Sequence, residues 1–204
     1  NNMGNTYEAL GDYEKAIASY NKSLKIARII NNPKDEGIAL NNLGQVYANQ
    51  GKYQQAITTF KNSLKISSSI KDIRGQASTL INLGSTHHVS YKLDKAKENY
   101  QQSLKLSRQV KDKQRELEAL GSLGLAYEDL KDYSQAIDYL KKSLTIAQQI
   151  GDPEAQAMGL NNLAHAFKIQ QQKKEKYRWK GFKLAVLECV LFRLLKMNNL
   201  WRNF

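Results

Sequence analysis

The chain repeats itself every 40 residues, and any fold it adopts has to respect that period. Laid out in blocks of 40, residues 1–40, 41–80, 81–120 and 121–160 align without insertion or deletion, and a fifth block opens at Asn161 and then fades. The third and fourth columns read Met3-Gly4, Leu43-Gly44, Leu83-Gly84, Leu123-Gly124 and Leu163-Ala164, and the seventh reads Tyr7, Tyr47, His87, Tyr127 and Phe167. Further along come Ala16, Ala56, Ala96 and Ala136, then Tyr20, Phe60, Tyr100 and Leu140, then Leu24, Leu64, Leu104 and Leu144. A period of this length marks a solenoid, in which each unit is too small to bury its apolar face alone and stacks on its neighbours instead.

Within a block the apolar residues recur three or four apart, as in Leu40, Leu43, Tyr47 and again in Ala56, Ile57, Phe60, Leu64, so each half is an amphipathic helix. Helix-start chemistry falls in one column: Asn32, Asp72, Asp112 and Asp152, with Pro33 and Pro153 behind two of them. The first helix of a repeat is therefore expected over about residues 33 to 50 and the second over about 53 to 70. Gly11 and Gly51 suit the left-handed ends of first helices, whereas Tyr91 and Lys131 take that column later. Those two turns are either built differently or carry modest strain. The Gly/Ala column lets two helix backbones approach closely, with Tyr, Phe and Leu filling the space around them.

Leu43-Gly44, Tyr47, Gly51, Tyr53, Ala56, Phe60 and Leu64 resemble the tetratricopeptide signature. The 40-residue period resembles the longer-helix variety found in kinesin light chains and in many bacterial multi-repeat proteins. Over residues 1–172 the resemblance implies an all-α right-handed superhelix of antiparallel helix pairs, four repeats plus the first helix of a fifth. It also implies that the first helices line a concave groove. Ser23, Ser63, Ser103 and Ser143 stand where the usual signature has alanine, a small-for-small exchange.

The columns expected in that groove are polar. One reads Asn1, Asn41, Ile81, Gly121, Asn161; the next Asn2, Asn42, Asn82, Ser122, Asn162; a third Asn5, Gln45, Ser85, Leu125, His165. Asparagine in mid-helix is disfavoured because its side chain competes for backbone hydrogen bonds, so a column of it needs a reason. A carboxamide both donates and accepts, which suits the main chain of an extended peptide. By resemblance, Asn2, Asn42, Asn82 and Asn162 would be rungs of an asparagine ladder; the competing view is that they are solvated or bond neighbouring first helices. Asn41 and Ile81 stand where a lysine would be needed to clamp a C-terminal carboxylate, so that clamp is not supported. Glu8, Glu128 and Asp129 suggest a polar to mildly acidic floor, and with it a partner carrying some basic residues.

Chemistry is not expected. His87 and His88 are adjacent on a helix and point about 100° apart, so they cannot share a metal in the i, i+4 manner, and His87 occupies the tyrosine column. No phosphate-cradling glycine loop, zinc spacing or nucleophile elbow occurs, so no enzyme activity, cofactor, metal or small-molecule substrate is expected. The single cysteine, Cys189, cannot form an internal disulfide, and no basic, apolar leader opens the sequence, which points to a cytoplasmic setting.

Net charge is +12, but residues 173–204 carry nine Lys/Arg against two Asp/Glu while the first 172 residues carry 22 against 17. From Lys173 the repeat lapses: Lys176, Lys180 and Lys183 fall where Ala136, Leu140 and Ser143 stood. Three readings of 173–204 stay open: a helix covering the last repeat, a basic amphipathic segment against an anionic membrane or a partner, or a non-native extension. The leading function is a protein–protein scaffold or adaptor holding an extended peptide or helix of a partner. The alternatives are a regulatory or sensor segment of a longer signalling protein or enzyme, and nucleic-acid or membrane contact through Lys173, Lys174, Lys176, Arg178, Lys180 and Lys183 with Tyr177 and Trp179 to stack.

Overall fold

The computed structural model describes the backbone of residues 2–201 and, among these, the side chains of residues 2–176 and 178. The described chain is helical throughout: α1 (Asn2–Ala9), α2 (Tyr13–Ile29), α3 (Pro33–Asn49), α4 (Tyr53–Ser69), α5 (Ile73–Val89), α6 (Leu93–Gln109), α7 (Lys113–Asp129), α8 (Tyr133–Ile150) and α9 (Pro153–Trp201). The predicted starts hold because their side chains do the capping. Asn32, Asp72, Asp112 and Asp152 accept from the amides of Asp35, Gly75, Arg115 and Ala155 at 2.9–3.2 Å, satisfying donors that the first turn leaves free.

Every turn between these helices passes through one left-handed residue, at 20-residue intervals. Gly11, Gly51 and Gly151 fill three positions, and Asn31, Lys71, Tyr91, Lys111 and Lys131 fill the rest with φ of 51–62°. Of the two possibilities for Tyr91 and Lys131, strain is the one realised. The amides of Gly51 and Lys52 bond Ala48 and Tyr47 at 2.9 and 2.8 Å, and those of Tyr91 and Lys92 bond His88 and His87 at 2.9 Å each, so the turn is the same with or without glycine. A left-handed L-residue costs about 1–2 kcal/mol, and Tyr91 is 88% exposed, so its ring recovers little of that.

Helix pairs lock through the glycine column. A Cβ on Gly44 would sit 2.6 Å from the Phe60 ring, one on Gly84 2.6 Å from Tyr100, and one on Gly124 2.6 Å from Leu140. Phe60, Tyr100 and Leu140 are accordingly at most 1% exposed, and burying each is worth about 1.5–3 kcal/mol. Within the same pairs the serine column is more than a tolerated exchange. Ser63, Ser103 and Ser143 donate to the carbonyls of Gly37, Ala77 and Leu117 at 2.8–3.2 Å, tying second helix to first.

First helices touch the first helices of the next repeat, α3 with α5, α5 with α7 and α7 with α9, whereas second helices make no comparable contact with one another among the described residues. The stack therefore bends with α1, α3, α5, α7 and α9 on its tighter, inner side. His87 is 7% exposed in the tyrosine column, and its Nδ1 is buried without a partner. Burial holds its pKa below the usual histidine value, helped by Lys95, Lys92 and Lys61 and opposed by Glu98.

Four outcomes follow from this packing. Gly44→Ala should lower stability by about 1–2 kcal/mol in urea unfolding, overpacking outweighing the helix propensity regained. Gly37→Ala, where the new Cβ meets Ile66 at an ordinary 3.7 Å, should raise it by up to about 1 kcal/mol. Tyr91→Gly and Lys131→Gly should each raise the unfolding midpoint by an equivalent of about 1 kcal/mol. For His87, the unfolded chain takes up the proton first, so the stability it contributes is intact above pH ~6.5 and is lost as pH falls through that value. The fall is at most about 1.4 kcal/mol per pH unit, and the difference between wild type and His87→Phe in unfolding titrations from pH 7.5 to 5.5 should display it.

Candidate peptide-binding groove

The inner face is organised by two rows of side chains one helical turn apart. Asn42, Asn82, Ser122 and Asn162 form one row, each half-buried. Ile38, Ser78, Glu118 and Met158 lie four residues earlier on the same helices and so share their face. Between the helices this face opens into two clefts. The first, about 310 Å3 between α3 and α5 with Ser63 and Ser67 of α4 behind, is lined by Lys34, Ile38, Asn41, Asn42, Arg74 and Arg115 among others. The second, about 430 Å3 around α7 and α9, is lined by Ile81, Glu118, Ser122, Leu125, Met158 and Asn162 among others.

The sequence-expected residues divide by what they bond. Asn82 donates its amide to Asn41 Oδ1 at 3.1 Å across α5 and α3, which spends part of one rung on a neighbouring first helix. The side chains of Asn42, Asn161 and Asn162 make no hydrogen bond within the described residues, and Asn42 and Asn162 open one into each cleft. Asn5 and Gln45 are committed elsewhere. The Tyr20 hydroxyl shares its one proton between Asn5 Oδ1 at 2.6 Å and Glu8 Oε2 at 3.0 Å, Asn49 donates to Glu8 Oε1 at 3.0 Å, and Gln45 donates to Asn49 Oδ1 at 3.0 Å. This network joins α1, α2 and α3. Burial pushes both the Glu8 carboxyl and the Tyr20 phenol up.

Ser85 accepts from the Tyr100 hydroxyl at 3.2 Å, and Ser122 bonds the same hydroxyl. Column five thus serves the second-helix tyrosines wherever those carry a hydroxyl, a use that only the fold exposes. His165 pairs with Glu128 at 2.6 Å. Asn2 lies apart from both clefts, beside Met3, Tyr7, Lys15, Lys22 and Ile26 at the end of the stack.

The carboxylates expected to make a mildly acidic floor, Glu8, Glu128 and Asp129, are each engaged by side chains of the stack itself. Glu8 is held by Tyr20 and Asn49, Glu128 by His165, and Asp129 by His88 at 2.6 Å. What faces the first cleft is cationic instead. Arg115 Nη1 donates to Asp112 Oδ2 at 2.7 Å, Arg74 Nε stands 3.9 Å from the same oxygen, and Arg115 Nε is buried without a partner. Burial would raise the Asp112 carboxyl, yet the bonds from the Arg115 amide and guanidinium hold it below the usual carboxylate range. The Ile38 row and these cations escaped the sequence reading, although a signal was present: the row lies one turn, and Lys34, Arg74 and Arg115 about two turns, before the asparagine column on the same helices.

Helix α9 runs from Pro153 to Trp201 without a turn. Lys173, Lys174, Lys176 and Arg178 are exposed on it, and Lys173 Nζ lies 5.3 Å from the centre of the Tyr133 ring. The side chains of Tyr177, Trp179, Lys180 and Lys183, needed for the nucleic-acid alternative, lie outside those described. Among the described residues no helix is long and apolar enough to cross a membrane, and no three His, Cys, Asp or Glu side chains converge as a metal site.

Several solved structures share this architecture. BtubC (BKLC) from P. vanneervenii superposes with a TM-score of 0.74 at 21% identity, over 85% of this chain and 73% of that one. A Podosopora anserina protein with nearly identical TPR-like repeats does so at 0.68 and 15% identity, over 85% and 86%. A Signal Transduction ATPase with Numerous Domains from Pyrococcus horikoshii, carrying a tetratricopeptide repeat sensor, gives 0.67 at 23% identity, over 78% of this chain but 24% of that protein. At these identities the likeness speaks for the fold alone. No curated protein sequence matches the chain. The tetratricopeptide repeat model matches residues 1–69 and 75–149, and with helix pairs, glycine–ring locks and turns all repeating at its period, the chain belongs to the tetratricopeptide repeat family.

Proposed function

We propose that the chain is a protein–protein interaction scaffold or adaptor that holds an extended peptide or helix of a partner against its first-helix face. Tetratricopeptide repeats generally mediate protein–protein interaction, and their fold is typically a non-catalytic scaffold. The observation that carries the reading is the row Asn42, Asn82, Ser122 and Asn162, which runs along the inner face through both clefts with the Asn42 and Asn162 carboxamides unengaged by the chain itself. Half-buried amides that lack internal partners suit a ligand's main chain, whose own N–H and C=O groups must be satisfied when water is displaced. Asn41, Asn161 and the remaining Asn82 carbonyl extend that surface, while Asn2, Asn5, Gln45, Ser85 and His165 serve at its margins or in its support.

A second reading, a sensor segment of a longer signalling protein, is supported by the likeness to the Pyrococcus horikoshii protein, whose tetratricopeptide repeats are described as a sensor. The two are compatible, since sensing through such a groove is also peptide or protein binding.

The test is a partner recovered with the wild-type chain, measured by isothermal titration against Asn42→Leu combined with Asn82→Leu. Losing two carboxamide rungs at about 1 kcal/mol per hydrogen bond should weaken binding at least about ten-fold. Unchanged affinity in a double variant with wild-type circular dichroism removes the groove reading.

A further inference from the structure

The two clefts differ in electrostatic character, and the difference selects a ligand. Lys34, Arg74 and Arg115 line the first against two acids, Asp72, whose carboxylate caps α5, and Asp112 beside the lining, which bonds Arg115 and stands 3.9 Å from Arg74, so cations stay in excess. Glu118, Asp152 and Glu154 line the second with no cation among them, around an apolar surface that includes Leu125 and Met158, 41% and 61% exposed. Apolar side chains this exposed on an inner face are an unpaid desolvation cost that an incoming apolar group would relieve. Building on the groove reading above, we infer that the occupant is an extended peptide carrying an acidic side chain at the α3–α5 cleft and a large apolar side chain at the α7–α9 cleft.

Complementarity fixes the register. An acidic side chain placed at the second cleft would face Glu118 and Glu154, and Arg115, the cation that acts on Glu118, is already bonded to Asp112; at the first cleft it meets Arg74, 70% exposed, the remaining donors of Arg115, and Lys34. Guanidinium groups on a fixed helix face recognise carboxylates with directed N–H donors. The apolar side chain in turn finds Ile81, Leu117, Leu125 and Met158. The clefts are about two helix spacings apart, roughly 20 Å at 8–10 Å per packed helix, which an extended chain covers in about six residues. Asn82 lies between the two anchors, with Asn42 at the first cleft and Ser122 at the second, so that this row meets main chain and carries no side-chain preference.

The probe is a set of short fluorescein-labelled peptides on a Ser/Thr/Gly background, with one Glu and one Phe about six positions apart, made in both orders and read by fluorescence anisotropy. One order should bind, Glu→Lys in that peptide should weaken it at least about ten-fold, and rising salt should erode the difference. Lys34→Glu combined with Arg74→Glu, both on exposed side chains, should invert the preference so that the Lys peptide binds better. Leu125→Asp or Met158→Asp should weaken the Phe peptide about ten-fold while leaving the Glu-over-Lys preference in place. Equal binding of Glu and Lys peptides, a preference that survives the charge-reversed protein, or no binding by either order at millimolar concentration overturns the inference. Failure of the groove reading itself has a separate signature, namely a recovered partner that is indifferent to the Asn42→Leu, Asn82→Leu pair.

Discussion

A ring or a leucine lying directly on a glycine backbone holds this molecule together, and most of its other features depend on that contact. Phe60 on Gly44, Tyr100 on Gly84 and Leu140 on Gly124 leave no room for a Cβ, so the two helices of each pair meet at one distance and in one register. With that distance set, the hydroxyls of Ser63, Ser103 and Ser143 come within reach of carbonyls on the facing helix, satisfying polar groups where solvent is excluded. The same closeness brings each Tyr hydroxyl through to the inner face, where Asn5 and Ser85 receive it. Packing and groove chemistry are therefore coupled: a second-helix residue decides whether an inner-face residue is free for a ligand.

Between repeats the constraint loosens, and variation collects there. Arg28 bonds Glu36 at 2.7 Å, and Arg108 bonds Glu116 at 2.8 Å, one helix pair reaching to the next. The intervening junctions use Gln76 and Gln156 donating to the carbonyls of Ser67 and Ala147 instead. Both solutions satisfy a turn-end carbonyl or a buried carboxylate, so either fits the same backbone. On the inner face nothing in the packing dictates the side chain at the Ile38, Ser78, Glu118, Met158 positions, and there the repeats diverge most in chemistry. A regular scaffold thus presents an irregular surface, which is how a repeat protein acquires a preference for one partner.

Much of the fold was legible because its causes are local. Asn32, Asp72, Asp112 and Asp152 cap the helices they precede in sequence, within three residues, and helical periodicity needs only a window of one block. Tyr91 and Lys131 were legible only in part. Their column told that a left-handed residue belonged there, but that the backbone accepts the strain at φ 55° and 62° is decided by packing on both sides of the turn. The candidate site was legible as a face and not as a set of free groups. Whether Asn5 and Asn82 are already bonded depends on partners 15 and 41 residues away, at separations no local pattern encodes.

The sequence by itself determined the helices, their caps, their 20-residue alternation and the glycine–aromatic pairing, since each follows from propensity, capping and a period visible along the chain. Only the tertiary structure decided that Glu8, Glu128 and Asp129 are hydrogen-bonded internally while Arg74 and Arg115 face an open cleft. The physical reason is that charge and hydrogen-bonding capacity at a surface are set by what remains after neighbouring helices have satisfied one another, and neighbours in this stack lie a whole repeat apart in sequence.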